Sequence, residues 1–175
     1  VIWKGMTLYE GVVNVANGPD GICCDSRGNI YVACAISGVV TKVSHQVKMA
    51  DITVGDEPRA IAVDLSDNIW VGNFSSGTVT RINGADLETS EFICGRGQIS
   101  IGVTKDVSND YQIVVANYTD KNIAILDPTS GARVEKIETA FNPVAFGDFT
   151  GFQSYLMGKK YDSQNPDGTD RVTWD

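Results

Sequence analysis

Residues 19–43 read PDGICCDSRGNIYVACAISGVVTKV, and residues 58–82 read PRAIAVDLSDNIWVGNFSSGTVTRI. The second run follows the first at an offset of 39 residues without a gap, placing Pro19 over Pro58, Ile22 over Ile61, Asp25 over Asp64 and Asn29 over Asn68. Ile30, Val32, Ser37, Gly38 and Val40 fall on Ile69, Val71, Ser76, Gly77 and Val79. A looser third copy runs through Ile101–Thr104, Ile113–Tyr118 and Asn122–Leu126, with about four extra residues in the turn around Ser108–Tyr111. Self-similarity at such a period marks a stacked repeat architecture.

Each copy divides the same way. A short apolar strand (Ile61–Asp64) meets a polar turn (Leu65–Asn68), and a second strand (Ile69–Asn73) meets a Ser-Gly turn (Ser75–Gly77). An alternating third strand (Thr78–Ile82) and a more exposed fourth, ending at Val54-Gly55 or Ile93-Cys94, complete it. Val, Ile, Tyr, Trp and Thr punctuated by Gly, Asn, Asp and Ser are strand and hairpin signals. Four strands per repeat of about forty residues predict an all-β fold, a β-propeller of four-stranded antiparallel blades. The blades are expected near 17–55, 56–95 and 96–140. Residues 141–157 read as an inner strand pair and 1–16 as an outer one, so the two ends are expected to form a composite blade, with 158–175 a polar tail or linker. The propeller then spans 1–157, with about four blade equivalents. The rival expectation is part of a larger ring, which a chain opening at Val1 without an initiator Met favours.

The blade pattern, P-x-x-I-x-V-D, then N-I-W-V-x-N, then S-G-T-V-x-x-I, resembles NHL-repeat propellers and the virginiamycin B lyase family. The segment Asn142-Pro143-Val-Ala-Phe-Gly-Asp-Phe-Thr-Gly-Phe152 is similar to one that closes lyase-like propellers in tail-associated proteins of phages and prophages, with Phe149 in place of a Met. The first resemblance implies a fold; the second implies a binding module on a virion or at the cell surface.

Composition narrows the partners. Apolar residues at 42% and charged residues at 21% suit a globular chain rather than a disordered one. Fourteen basic residues against 22 acidic ones give a net charge of −8, which repels nucleic-acid phosphates. No apolar run approaches the ~18 residues of a membrane-spanning helix, and no charged leader followed by an apolar stretch is visible from Val1 onward, an upstream targeting signal being left open. Cys23, Cys24, Cys34 and Cys94 form no C-x-x-C pair and are expected to be four buried free thiols, which fits a reducing compartment.

A lyase of the virginiamycin type needs histidine and carboxylates around a metal. The one histidine, His45, falls in a connection between third and fourth strands, away from the central channel. A lactonase-like site would hold Mg or Ca through carboxylate and Asn oxygens. Asn73 and Asn117 end equivalent second strands, where Cys34 stands in the first blade, but no Glu completes such a set. Asp162–Asp170 has the wrong acid spacing for an EF-hand. Asp25 and Asp64 read as turn residues and Trp70 as core. The expectation is a non-catalytic binding or scaffold propeller without a cofactor; the alternative is a metal-assisted lyase or lactonase acting on a cyclic ester. The ligand face, for a glycan or protein and alongside other chains of an assembly, is expected at the connections between blades and the turns between second and third strands. It would comprise Asp20, Arg59, Asn73, Phe74, Gln98, Asn117 and Tyr118, beside Ala35.

Overall fold

The computed structural model describes residues 12–105, 108 and 110–143. Twelve strands fill them in three antiparallel sheets, and no helix interrupts them. Blade 1 is β1 (Pro19–Cys24), β2 (Ile30–Cys34), β3 (Val39–Ser44) and β4 (Val47–Thr53). Blade 2 is β5 (Pro58–Val63), β6 (Ile69–Asn73), β7 (Thr78–Ile82) and β8 (Thr89–Ile93). Blade 3 is β9 (Gln98–Lys105), β10 (Tyr111–Asn117), β11 (Asn122–Leu126) and β12 (Arg133–Glu138). Each blade is a four-stranded meander in chain order, and the first strands pack on one another, β1 on β5 and β5 on β9. This is a propeller arc of three blades with its inner strands toward the axis. The composite blade and the tail lie outside the described residues except at 12–16 and 141–143.

The core lies between blades. Tyr31, Val40 and Ile52 of blade 1 meet Val63, Ile69, Val71 and Ile82 of blade 2. Trp70, Val79 and Ala62 of blade 2 meet Ile101, Val103, Ile113, Val115 and Leu126 of blade 3. The middle blade is therefore covered on both faces, and every residue of β6 is buried, Asn73 included. A strand covered on both sides reads as a continuous apolar run. The outermost β12 is exposed along its whole length and is correspondingly charged.

Turn chemistry holds the strand ends. Asp64 Oδ1 accepts from the backbone N–H of Ser66 (2.8 Å) and Asn68 (2.9 Å), while its Oδ2 accepts from Asn68 Nδ2 (3.0 Å) and Trp70 Nε1 (2.9 Å). Asp25 repeats the pattern with Arg27, Asn29 and the Tyr31 hydroxyl. Burial alone would raise the Asp25 carboxyl, but the hydrogen bonds from Asn29 and Arg27 outweigh it and hold it below the usual carboxylate range. His45 and Gln46 form a two-residue hairpin between β3 and β4, both with positive φ (48° and 62°), as a primed turn requires.

The thiols need a correction. All four cysteines are free, but only Cys23, Cys34 and Cys94 are buried, whereas Cys24 is exposed. Adjacent strand residues point to opposite faces, and the face of blade 1 that carries Cys24 is turned away from blade 2.

Candidate ligand face at the axial end of the arc

The blade connections and the turns between second and third strands gather at one end of the arc. Ala35 N–H donates to Gly18 O (2.7 Å), Phe74 N–H to Glu57 O (3.0 Å) and Tyr118 N–H to Gly97 O (2.8 Å), the same bond in each blade. The accepting residue has positive φ every time: Gly18 75°, Glu57 56°, Gly97 77°. Two blades use glycine there; the middle one places a glutamate in a conformation that costs a non-glycine residue about 1 kcal/mol.

A β-bulge opens each inner strand. The pairing register shifts between Pro19 and Gly21, between Pro58 and Ala60, and in blade 3 at the point where Gln98 pairs with Asn117 and Ser100 with Ala116. The extra residues are Asp20, Arg59 and Ile99, and all three line one cavity of about 210 Å³ between the inner strands. Bulges re-aim side chains and recur beside binding sites. Gln98, by contrast, takes the place held by Pro19 and Pro58. It is fully buried, its amide donating to Gly95 O.

Arg59 is the centre of the site. Its guanidinium lies 4.6 Å from the centroid of the Phe74 ring, with Nη2 2.5 Å from Glu57 Oε1 and Nε 3.8 Å from Asp20 Oδ2. The Ser75 hydroxyl donates to the other Glu57 oxygen. The bonds from Ser75 and Arg59 hold the Glu57 carboxyl below the usual range. Arg59 Nε is buried and makes no hydrogen bond, since 3.8 Å is beyond hydrogen-bond reach.

The expected face therefore divides. Asp20, Arg59 and Phe74 come together, and Tyr118 stands 40% exposed on the equivalent turn of blade 3. Asn73, Asn117 and Gln98 are a correction: all three are fully buried and offer no surface. Asn73 Nδ2 donates to the hydroxyls of Thr78 (3.1 Å) and Thr80 (2.8 Å), and Asn117 Nδ2 to Asn122 Oδ1 (2.8 Å). They close the strand ends from within. Glu57, Ser75 and Ile99 were missed. The positive φ of Glu57 leaves no mark in a Glu-Pro pair, whereas Ile99 was detectable, because Ile61 and Ile101 fix the third copy at an offset of 40.

Exposed apolar side chains stand at the same end. Ile36 (74%) follows Ala35 in the blade 1 turn, and Phe141 (83%) lies beside the Tyr118 turn, where Asn142 Nδ2 donates to Tyr118 O (2.9 Å). His45 is at the opposite end. Among the described residues no group of three His, Cys, Asp or Glu side chains could hold a metal ion, and no helix is long and apolar enough to cross a membrane.

No protein-family model matches the sequence, and no curated protein matches it. Solved structures do. The virginiamycin B lyase of Staphylococcus aureus superposes with a TM-score of 0.57 at 14% identity, over 68% of this chain and 40% of the lyase. A 6-phosphogluconolactonase, itself described as putative, from Bacteroides uniformis gives 0.58 at 13%, over 74% and 43%. BBS1N, in its mercury-soaked complex with ARL6DN, gives 0.56 at 18%, over 73% and 42%. The chain spans about two fifths of the length of each. At these identities the likeness establishes the fold, a β-propeller of the virginiamycin B lyase type. These similar structures are a lyase, a protein described as a lactonase and one solved in complex with ARL6DN, so the site must be argued from its own residues.

Proposed function

We propose that the chain is a non-catalytic binding module that takes a polypeptide partner at the axial end of the arc. The observation that carries this reading is the Arg59–Phe74 stack flanked by the Asp20 and Glu57 carboxylates, with Ile36, Tyr118 and Phe141 exposed at the same end. Aromatic residues and arginine are the side chains that most often anchor protein interfaces. Buried amides at Asn73 and Asn117 and an Arg59-covered Phe74 leave less for a glycan, which stacks on bare rings and bonds to free amides. A partner with basic or hydroxyl groups fits the acidic rim. A place on a virion or cell surface belongs to this proposal and rests on the resemblance of the 142–152 segment.

Selection from a displayed random peptide library tests the reading. Enriched peptides whose binding is lost in Arg59→Ala and Tyr118→Ala support it. Enrichment on a glycan array alone, or turnover of a cyclic ester that chelator abolishes and added magnesium restores, contradicts it and favours the glycan or the lyase–lactonase alternative.

A further inference from the structure

The turns between first and second strands and between third and fourth strands lie at the end of the arc opposite the ligand face, and there the two blade junctions differ. At the first junction Arg27 of blade 1 reaches across to blade 2. Its Nε lies 3.5 Å from Asp25 Oδ2 and 3.9 Å from Asp67 Oδ2, and its Nη2 donates to Gly84 O (2.6 Å). One guanidinium thus holds a turn carboxylate of each blade and a turn carbonyl of blade 2.

Turn bonds identify the same places at the second junction. Ser66 N–H donates to Asp64 Oδ1 (2.8 Å) as Arg27 N–H donates to Asp25 Oδ1 (2.9 Å), so Ser66 leaves the backbone where Arg27 does. Gly131 N–H donates to Asp127 O and Thr129 N–H to Asp127 Oδ1, as the N–H groups of Leu87 and Ala85 donate to Asn83, so Pro128 stands for Gly84. Asp110 and Tyr111 precede Ile113 as Ser66 and Asp67 precede Ile69. Asp64, Ser66, Asp110, Tyr111, Asp127 and Pro128 all line a cleft of about 550 Å³ between blades 2 and 3, within the size range of small-ligand pockets.

The acceptors of the first junction are therefore repeated, but the Ser66 side chain ends one carbon from the backbone. Arg81 enters the cleft from β7, its guanidinium 5.7 Å from the centroids of Trp70 and Phe92, and donates through Nη1 to Pro128 O (3.2 Å) and Thr129 O (2.7 Å). Among the described residues neither Asp64 nor Asp127 has an ion-pair partner. Asp127 Oδ1 takes the Thr129 N–H, the Ser130 N–H and the Ser130 hydroxyl, which leaves Oδ2 without a hydrogen bond from those residues. A carbonyl oxygen has two lone pairs, so Pro128 O can accept a second donor.

We propose that the cleft binds the guanidinium of a guest, seated against Asp64, Asp127 and Pro128 as Arg27 is seated against Asp25, Asp67 and Gly84. A planar cation with a fork of N–H donors suits two carboxylates and a carbonyl, whereas an ammonium meets them only as a point charge. An arginine side chain of a peptide and a free alkylguanidine share this chemistry.

Backbone amide shifts of the full 175-residue chain, titrated with butylguanidine, with a blocked Gly-Arg-Gly tripeptide and with its Gly-Lys-Gly counterpart, test the proposal. At least one of the two guanidines should shift Ser66, Asn68 and Thr129 saturably, and the lysine peptide should bind about threefold or more weaker. Butylguanidine alone would assign the cleft to a small cation, and the arginine peptide alone to a polypeptide. Ser66→Arg should supply the group from within, abolishing the shifts and raising the urea midpoint. Asp127→Asn keeps the turn bond that Asn83 makes in blade 2 and should weaken binding about threefold, which serves if Ser66→Arg fails to fold. Met49→Gln, exposed on the outermost strand of blade 1, should change nothing. No saturable shift with either guanidine, equal affinity for the lysine peptide, or binding undiminished in folded Ser66→Arg or Asp127→Asn would overturn the proposal. Shifts confined to Phe74 and Tyr118 would also overturn it, and would place the guanidinium on the ligand face at the other end.

Discussion

Arg59 and Phe74 are joined twice. The guanidinium stacks 4.6 Å from the ring centroid, and Glu57, which pairs with the guanidinium, accepts the Phe74 backbone N–H at 3.0 Å. A strand residue, a connection residue and a turn residue of one blade are thereby fixed as a unit. Because the bulge at Arg59 turns its side chain into the axial cavity, the unit sits where all three inner strands converge. Arg59→Ala should remove a partly exposed cation–π contact and ion pair, a cost of about 1 kcal/mol or less. Urea unfolding should show a small change in midpoint at unchanged slope.

Glu57 tests whether the strained connection is held by its side chain or by the fold. Neither Glu57→Ala nor Glu57→Gly keeps the carboxylate, but only glycine suits the φ of 56°. The glycine variant should be more stable than the alanine variant by about 1 kcal/mol, read from paired denaturation curves. Equal stabilities would mean that the connection relaxes once the carboxylate is gone.

Trp70 is fully buried, with Nε1 donating to Asp64. Trp70→Phe keeps much of the ring's packing and removes that donor, so it should cost about 1–3 kcal/mol and still fold. Trp70→Ala should cost about 3–5 kcal/mol through the cavity it leaves. Thermal unfolding followed by circular dichroism would separate the two.

Acid should destabilise the arc. The carboxyls of Asp25, Asp51, Glu57 and Asp127 are all held below their ordinary values: Asp25 by the bonds from Asn29 and Arg27 that outweigh its burial, Asp51 by Lys48 and Thr41, Glu57 by Ser75 and Arg59, Asp127 by Ser130. A depressed folded value means that the unfolded chain takes up protons first. The stability these groups contribute is therefore present above about pH 4–5 and is lost as pH falls through the unfolded and then the folded values. Urea midpoints at pH 7, 5 and 3 should be similar for the first pair and markedly lower at the third.

Burial pushes the thiols of Cys23 and Cys94 up, the latter to about 11, so neither forms thiolate near neutrality. An aromatic disulfide reagent at pH 8 should leave Cys23, Cys34 and Cys94 unmodified until denaturant is added.

Much of the fold was legible in the sequence because most of the repeating residues are those that blades press against one another: Ile61 and Ile101, or Tyr31 and Trp70. Their chemistry is fixed by the interface, so it recurs. The site was less legible. A one-residue difference in offset placed Gln98 where Ile99 stands, and in a strand such a slip exchanges the two faces. Asn73 and Asn117 are polar residues at strand ends, a pattern that does not distinguish an exposed amide from one that satisfies Thr78, Thr80 or Asn122 inside. Cys24 alternates as expected with Cys23, but which face is covered depends on the neighbouring blade.

The direct test of the proposed ligand face is the affinity of a library-selected peptide for the wild type and for the Phe74→Ala/Tyr118→Ala double variant, measured by titration calorimetry on protein shown to be folded. Binding should weaken at least tenfold, about 1.4 kcal/mol, with the fold intact. Unchanged affinity in a folded double variant would place the ligand elsewhere and contradict the account.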